Sequence, residues 1–444
     1  MPNIGFGLYS GYVGVPGSNK QLHYIAAQSQ NNPATDPVIV WFNGGPGCSS
    51  MLGFLQEHGP YSLADGALNF TQNDFSWNKQ ATVIYIESPA GVGFSYCPGD
   101  DCKVYNDNST ADDNLQAVLG VLGKFPELQK NPLYISGESY AGIYVPMLVD
   151  RIDQYITNCT ANKSCAFIPN LKGMMVGNGV TDPRYDNPSQ LVEMAFWYGI
   201  LETKTYEFLR QNVYCIEQDP TPAECQPYAN DFANSMANIN IYDAFGVCYQ
   251  TPQQLGPILQ TSKFSGLLRT GNEIKPFKKY YTAKELTPFL SNLKLIPPCV
   301  YAKPVLDYLG NSSVRAQLNI VAASNKWDLC NDTINNNYQR PANGSIEIYE
   351  RLRNKYRMLK YSGDTDMAVP TYGTRDWIDN LNWTITKPWK QFFVNGQVGG
   401  YVEYRDGGNF TFATIHGAGH MAPQWRPEPT YQVVFNFINN KTFS

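Results

Sequence analysis

Gly137-Glu138-Ser139-Tyr140-Ala141 sets a serine between two small residues, directly after a short run that holds Leu133, Tyr134 and Ile135. From Ala141 to Ile152 apolar side chains recur at helical spacing. A serine in a sharp strand-to-helix turn has its hydroxyl lifted clear of the sheet, where it can attack a carbonyl carbon. Larger neighbours would collide in so tight a turn. The strict pattern has glycine in the fifth place, and Ala141 is a mild departure from it. An ordinary turn that happens to contain serine is the plain alternative, and this stretch alone does not decide.

A serine nucleophile needs a base, and the chain has four histidines. His23 lies in an early strand-like run and reads as a strand or surface residue. His58 sits in a turn beside Glu57. His416 and His420 bracket Gly417-Ala418-Gly419 near the C-terminus, and Met421-Ala422-Pro423 stops any helix there. A histidine in a glycine-rich loop after the last strand is where the α/β-hydrolase order Ser, acid, His places its base. The acid should follow a strand between Ser139 and that histidine. Leu359 to Met367 fits, with Gly363-Asp364-Thr365-Asp366 after an apolar run. Its task would be to fix one imidazole tautomer and stabilise the imidazolium. A plain solvated turn or a weak cation site is the other reading. Asn43-Gly44-Gly45-Pro46-Gly47-Cys48-Ser49-Ser50 follows an early strand. Adjacent glycines let backbone N–H groups approach a ligand, and one of them can form half of an oxyanion hole with the N–H of Tyr140.

These pieces need a scaffold that ends strands at loops. Leu22–Ala27, Pro37–Asn43, Ala81–Glu87, Leu133–Ser136 and Met174–Gly177 read as strands, with a helix over Thr110–Phe125 between them. Continuous apolar runs of this kind mark parallel strands buried on both faces. The expected architecture is an α/β fold with a mainly parallel sheet and helices on both sides. From about Thr181 to Pro298 strand runs give way to amphipathic helices such as Gln190–Gly199 and Thr203–Asn212. This predicts core segments over 1–180 and 299–444 and a helical lid inserted over 181–298. Within it Thr261–Tyr281 is polar and reads as an excursion open to nicking or as an ordered surface loop. Strand runs return at Arg357–Tyr361 and Lys390–Val394, and a helix over Pro429–Phe437 closes the chain.

Composition bounds the function. The 444 residues are 43% hydrophobic and 16% charged, which is globular. A net charge of -5 and pI near 5.5 leave no electrostatic footprint for nucleic acid. No apolar run can span a bilayer. Ten cysteines without a Cys-X-X-Cys pair argue for disulfides and against zinc. Sequons occur at Asn69, Asn108, Asn158, Asn162, Asn311, Asn331, Asn343, Asn382, Asn409 and Asn440. Both features point to a secreted, lysosomal or vacuolar glycoprotein. The N-terminus lacks a signal peptide's basic start and apolar core, so the chain reads as a mature form whose leader has been removed.

Four motifs in one order, Trp-Phe-Asn-Gly-Gly-Pro-Gly-Cys-Ser-Ser, Gly-Glu-Ser-Tyr-Ala-Gly, Gly-Asp-Thr-Asp and His-Gly-Ala-Gly-His-Met-Ala-Pro, resemble the serine carboxypeptidase family. The stretches from Glu87 to Tyr96 and from Val176 to Gly179 are similar to it as well. The resemblance implies Ser139 as nucleophile, His420 as base, Asp366 as acid, and the N–H groups of Gly45 and Tyr140 as the oxyanion hole. It also implies that Asn43, Gly44, Glu57 and Glu138 bind the substrate's C-terminal carboxylate, and it sets Leu52 and Met421 near the pocket for the leaving residue. A negative substrate end can meet two glutamates only when they share a proton, which calls for acid pH. The implied disulfides are Cys48–Cys330, Cys215–Cys225 and Cys248–Cys299, which leaves Cys97–Cys102 and Cys159–Cys165 as local loops. The implied activity is cofactor-free, metal-free release of C-terminal amino acids from peptides through an acyl-enzyme. Dimers are common in the family, which allows a homodimer here. Within the same fold an acyltransferase is the nearest rival, although those members often carry Asp where this chain has Glu138. A binding or protective protein is a more distant rival.

Overall fold

The computed structural model describes residues 4–63, 67, 69–99, 102, 104–162, 164–186, 188–217, 221–248, 299, 302–340 and 343–443. Ten strands form one sheet: β1 (Leu8–Gly14), β2 (Gln21–Ala27), β3 (Val38–Phe42), β4 (Thr82–Ile86), β5 (Leu133–Glu138), β6 (Leu171–Gly177), β7 (Arg357–Gly363), β8 (Ile385–Val394), β9 (Gln397–Arg405) and β10 (Phe410–Ile415). Their order is β1-β2-β4-β3-β5-β6-β7-β10-β9-β8. The central run from β4 to β10 is parallel, with antiparallel pairs at both edges. β3, β4 and β5 are buried at every position, which is why their sequences run apolar without alternation. β8 is the outer edge and mostly exposed, so Pro388 costs it no ladder bond that the sheet needs.

Helices cover both faces. On one side α1 (Asp107–Lys124) and α2 (Ala141–Asn162) bury Val118, Val121, Leu148 and Ile152. The start of α1 is a capping box: Ser109 N–H donates to Asn106 Oδ1 at 2.8 Å, and Asn106 N–H donates to Ser109 Oγ at 3.3 Å. The other face carries the residues after β3 and the closing helix, with Met51, Phe54, Val433 and Phe437 in one core layer. In the described part of 181–298, α3 (Pro188–Trp197), α4 (Thr203–Gln211) and α5 (Gln226–Ser235) enclose a third core. This core also takes in Met367, Ala368 and Val369, so these helices rest on the loop after β7. Thr261–Tyr281 lies outside the described residues. The disulfides are Cys48–Cys330, Cys97–Cys102, Cys159–Cys165, Cys215–Cys225 and Cys248–Cys299.

α2 contains Pro146, whose missing N–H takes away the helical donor to the Gly142 carbonyl. Ser345 Oγ supplies that donor at 2.8 Å, and Ser345 N–H bonds Thr181 O at 2.7 Å. A residue far along the chain thus completes the first turn of the helix behind the serine. Ser345→Ala is expected to lower the unfolding free energy by about 1–3 kcal/mol, the usual cost of a buried acceptor left alone. Urea denaturation with an unchanged midpoint would show that the carbonyl had no need of it.

Candidate active site

The site lies where the parallel strands end at their C-terminal edge, the usual crevice of an open α/β sheet. β5 ends at Glu138 and α2 begins at Ala141, which leaves Ser139 in the turn with φ +62°. Such a backbone is uncommon for a residue with a side chain and persists only where neighbours hold it. They do: Ser139 N–H donates to Gly177 O at 3.2 Å, and the N–H groups of Gly142 and Val180 donate to Ser139 O at 2.9 Å. At Gly137 a Cβ would lie 2.4 Å from Phe42 O and 2.6 Å from the Ala141 Cβ. Ala141 in place of glycine is therefore accommodated by its own neighbour. Ser139 stays half-exposed above a buried strand.

β7 and β10 deliver two aspartate–histidine pairs side by side. Asp364 Oδ2 lies 2.8 Å from His416 Nδ1 at the surface, and Asp366 Oδ2 lies 2.7 Å from His420 Nδ1 in the interior. Asp366 is surrounded by donors: its Oδ1 accepts from the N–H groups of Ala368 and Val369 at 2.8 and 3.2 Å, and its Oδ2 from Asn178 Nδ2 at 2.9 Å. Only an acceptor-only carboxylate satisfies that set. It holds the proton of the neutral ring on Nδ1, which leaves Nε2 as the acceptor. Among the described residues Nε2 has no hydrogen-bond partner, the Ser139 hydroxyl included.

The loop after β3 closes over Ser139. A Cβ on Gly44 would lie 2.2 Å from Tyr140 N and 2.9 Å from Ser139 Cβ, so only glycine permits this approach. Gly45 has φ +112°, and Cys48 ties the loop to Cys330. The N–H groups of Gly45 and Tyr140 donate to no other described residue. The Tyr140 side chain is pinned from behind: its hydroxyl donates to Asp107 at 3.1 Å, Tyr338 donates to the same carboxyl at 3.0 Å, and the Arg340 guanidinium sits 5.6 Å from the Tyr140 ring. Burial pushes Asp107 up to about 7.

Next to the serine stands a pair of buried carboxyls. Asn43 Oδ1 accepts from Trp41 Nε1 at 2.8 Å and from Gly53 N–H at 3.0 Å, which fixes the amide orientation. Its Nδ2 then donates to Glu57 Oε1 at 3.1 Å and to Glu138 Oε1 at 2.8 Å. Glu57 comes from a π-helical turn, Gly53–Glu57, a geometry that re-aims side chains. The two Oε2 atoms are buried and lack partners among the described residues. Burial pushes Glu57 up to about 7, and burial together with the Glu57 charge holds Glu138 well above the usual carboxylate range. Leu52 and Met421 are both buried and belong to one core layer.

The remaining histidines serve the fold. His58 stacks on Trp77 at 3.9 Å, meets Tyr85 Oη at 3.1 Å, and is held well below its usual range by burial, hence neutral. His23 is fully buried, and its Nδ1 lies 2.8 Å from Glu87. Ser49 and Trp327 also donate to Glu87, which ties the loop that bears Cys48 to β2. The sequence offered no sign of this partnership; Asn178 lies in a stretch similar to the family, but its φ of +42° and its bond to Asp366 show only in the fold.

The carboxyl pair makes stability depend on pH with a fixed sign. Glu57 has a folded value of about 7 against an ordinary 4.5, so its contribution is full below the ordinary value and is lost as pH rises through about 7. Asp107 acts in the same direction. From about pH 5 to pH 8 the native chain should lose roughly 3 kcal/mol through Glu57, and Glu57→Gln should flatten that slope. Urea unfolding at several pH values checks it, and equal slopes in both proteins would dissolve the pair.

Comparison with known proteins gives this arrangement its family. A family model described as serine carboxypeptidase matches residues 2–440. Serine carboxypeptidase 1 of Hordeum vulgare is 33% identical over 445 residues, spanning 95% of this chain and 87% of the relative. Lysosomal protective protein of Mus musculus is also 33% identical and spans 99% of this chain and 91% of its own. Among solved structures, Kex1(delta)p, a prohormone-processing carboxypeptidase from Saccharomyces cerevisiae, superposes with a TM-score of 0.71 at 19% identity, covering 99% of this chain and 92% of that one, which shows the shared α/β-hydrolase fold. With the motifs spread along the matched length, the chain belongs to the serine carboxypeptidase family, peptidase family S10.

Proposed function

We propose that this chain removes single amino acids from peptide C-termini in acid, with Ser139, His420 and Asp366 as the triad and Glu57, Glu138 and Asn43 as the carboxylate site. The observation that carries the reading is the protonatable carboxyl pair one residue from the nucleophile. Successive Cα atoms lie about 3.8 Å apart, so a carboxylate held at Glu138 leaves room for about one residue before the carbonyl that Ser139 attacks. While it holds at least one proton, the pair donates a hydrogen bond to the substrate carboxylate and adds at most one negative charge rather than two. His420 Nε2 takes the Ser139 proton as Oγ bonds the carbonyl carbon, and the N–H groups of Gly45 and Tyr140 receive the oxyanion. The same proton passes to the leaving amine, which departs as the free amino acid. Water then releases the acyl group with His420 again as base. The helices over 181–248 act as a lid above this crevice and select the residues on the acyl side.

The test is release of free amino acid from an N-blocked dipeptide. Ser139→Ala should abolish it. With the native chain KM should rise as pH moves from about 5 to 8, by up to about tenfold per unit above about 7, where Glu57 loses its proton and its charge faces the substrate carboxylate, while kcat changes less. Loss of that KM dependence in Glu138→Gln would tie it to the pair. A folded protein that releases nothing at either pH, yet passes the acyl group to alcohols, would move the assignment to acyl transfer.

The paired cysteines, the sequons and the relatives also support a lysosomal, vacuolar or secreted glycoprotein. Asn331 is expected to stay unmodified. Its amide donates to Gly91 O at 3.0 Å, and its N–H bonds Gly47 O at 2.8 Å, so a glycan there would push apart the loop after β3. Asn158, Asn311 and Asn382 are exposed and are expected to carry glycans. Mass spectrometry of peptides from the secreted protein decides, and a glycan on Asn331 would refute the argument.

A further inference from the structure

β7 leads to Asp366, yet its middle residue is a lysine with no solvent exposure. Unpaired buried ammonium groups are costly, so one at the centre of a sheet calls for a reason. Lys360 Nζ donates to Gly179 O at 2.5 Å and to Thr181 Oγ1 at 2.9 Å, and it lies 5.6 Å from the Trp377 ring. Both acceptors belong to the loop after β6. That loop also makes the contacts that join the two halves of the site. Asn178 Nδ2 bonds Asp366, Asn178 Oδ1 accepts from Gly363 N–H at 3.1 Å, and Val180 N–H bonds Ser139 O at 2.9 Å.

We propose that Lys360 is a positioning residue whose ammonium clamps loop 178–182 and so keeps Ser139 and Asp366 in register. The proposal rests on the triad reading given above. With the clamp in place, Asn178 orients the Asp366 carboxylate that faces His420, and Val180 holds the strained turn at Ser139. Without it, the carbonyl of Gly179 keeps only the Thr181 hydroxyl, which donates to it at 3.2 Å, and the loop can shift by tenths of an ångström. Hydrogen bonds from an ammonium are about twice as strong as those from a neutral donor, so the clamp is tightest while Lys360 is charged.

The groups that face Lys360 set when that holds. Asp186, from the same connection, accepts the N–H groups of Thr181 and Asp182 at 2.5 and 2.9 Å, and its charge favours the ammonium. Asp182 stands behind it and is paired with Arg184 at 2.7 Å. Tyr349, from the helix 346–352, feels the Asp186 charge, and Trp377, from the helix 371–380, offers only its ring. Burial outweighs Asp186 and brings Lys360 down to about 7. The clamp is thus charged in acid and weakens as pH rises past neutrality. Its loss is read in kcat, whereas loss of the Glu57 proton is read in KM.

The experiment compares native protein, Ser139→Ala, Lys360→Met, Thr181→Val and Asp186→Asn on the blocked dipeptide. Lys360→Met should lower kcat about tenfold or more at about pH 5 with KM nearly unchanged. Thr181→Val, which removes one acceptor of the ammonium and the hydroxyl donor to Gly179 O and keeps the shape, should lower kcat about fivefold. Asp186→Asn should move the alkaline limb of kcat to lower pH, which a purely structural lysine would not do. If Lys360→Met does not fold, the last two variants decide. Should Ser139→Ala be inactive while these variants keep native kcat at every pH and lose only Tm, Lys360 is a counter-ion and the proposal is overturned. Should Ser139→Ala still release amino acid, the triad reading falls first, and the clamp falls with it.

Discussion

Glu57 and Glu138 face one amide, that of Asn43, at a buried place, and two like charges that share one donor there cannot both persist. The consequence spreads outward. Asn43 must present its N–H₂ group, so its oxygen must be held, and Trp41 and Gly53 hold it. Gly53 opens the π-helical turn that carries Glu57, so the turn and the amide fix each other. Glu138 is the last residue of β5, hence the strand that delivers Ser139 also delivers half of the pair. In the proposed reading, binding and chemistry are therefore built on one rigid segment rather than on two loops that could drift apart.

A second constraint comes from topology. β3, β5, β6, β7 and β10 all end at the same edge, and each adds one part: the glycine loop, Ser139, Asn178, Asp366 and His420. The parts come from chain segments far apart in sequence, so their alignment depends on what crosses between loops. Three crossings recur: Cys48–Cys330 holds the glycine loop, Glu87 collects His23, Ser49 and Trp327 beneath it, and loop 178–182 links β5 to β7. Each uses a bond or a buried polar group where apolar packing would be permissive. Packing tolerates small shifts, whereas directional bonds do not.

Much of this was legible in the chain. The apolar runs at Val38–Phe42 and Thr82–Ile86 are buried strands, as their lack of alternation requires, and Gly137 and Gly44 are glycines because backbone or Ser139 lies where a Cβ would be. β1 and β9 were not legible, because Gly11 and the adjacent Gly399 and Gly400 interrupt the pattern that marks a strand. β10 was passed over, although its residues suit a strand. His23 could not be read as buried, since its partner Glu87 is distant in sequence and belongs to another strand end. By its own neighbours Glu57 reads as a surface carboxylate before a turn, and only the resemblance set it at the site; the fold shows it buried. The residues alone left Asp364 and Asp366 open, and the resemblance chose Asp366; in three dimensions both pair with a histidine, and they differ in burial, with Asp366 inside and Asp364 at the surface.

That difference favours the interior pair over the surface pair as part of the proposed triad. An exposed Asp364–His416 contact is screened by water and is worth little in either charge state. At Asp366 the carboxylate keeps its charge inside the protein through four directed donors, so the field it exerts on His420 is neither solvated away nor free to reorient. Such a charge is costly to bury, and the cost is met locally by Asn178 and the N–H groups of Ala368 and Val369. The loop that presents Asn178 is in turn held by an ammonium buried on β7, the strand that leads to Asp366. One buried negative charge thus has a buried positive charge behind its support, with no ion pair between them. The strand between them is a rigid spacer that lets each charge act on the loop without cancelling the other.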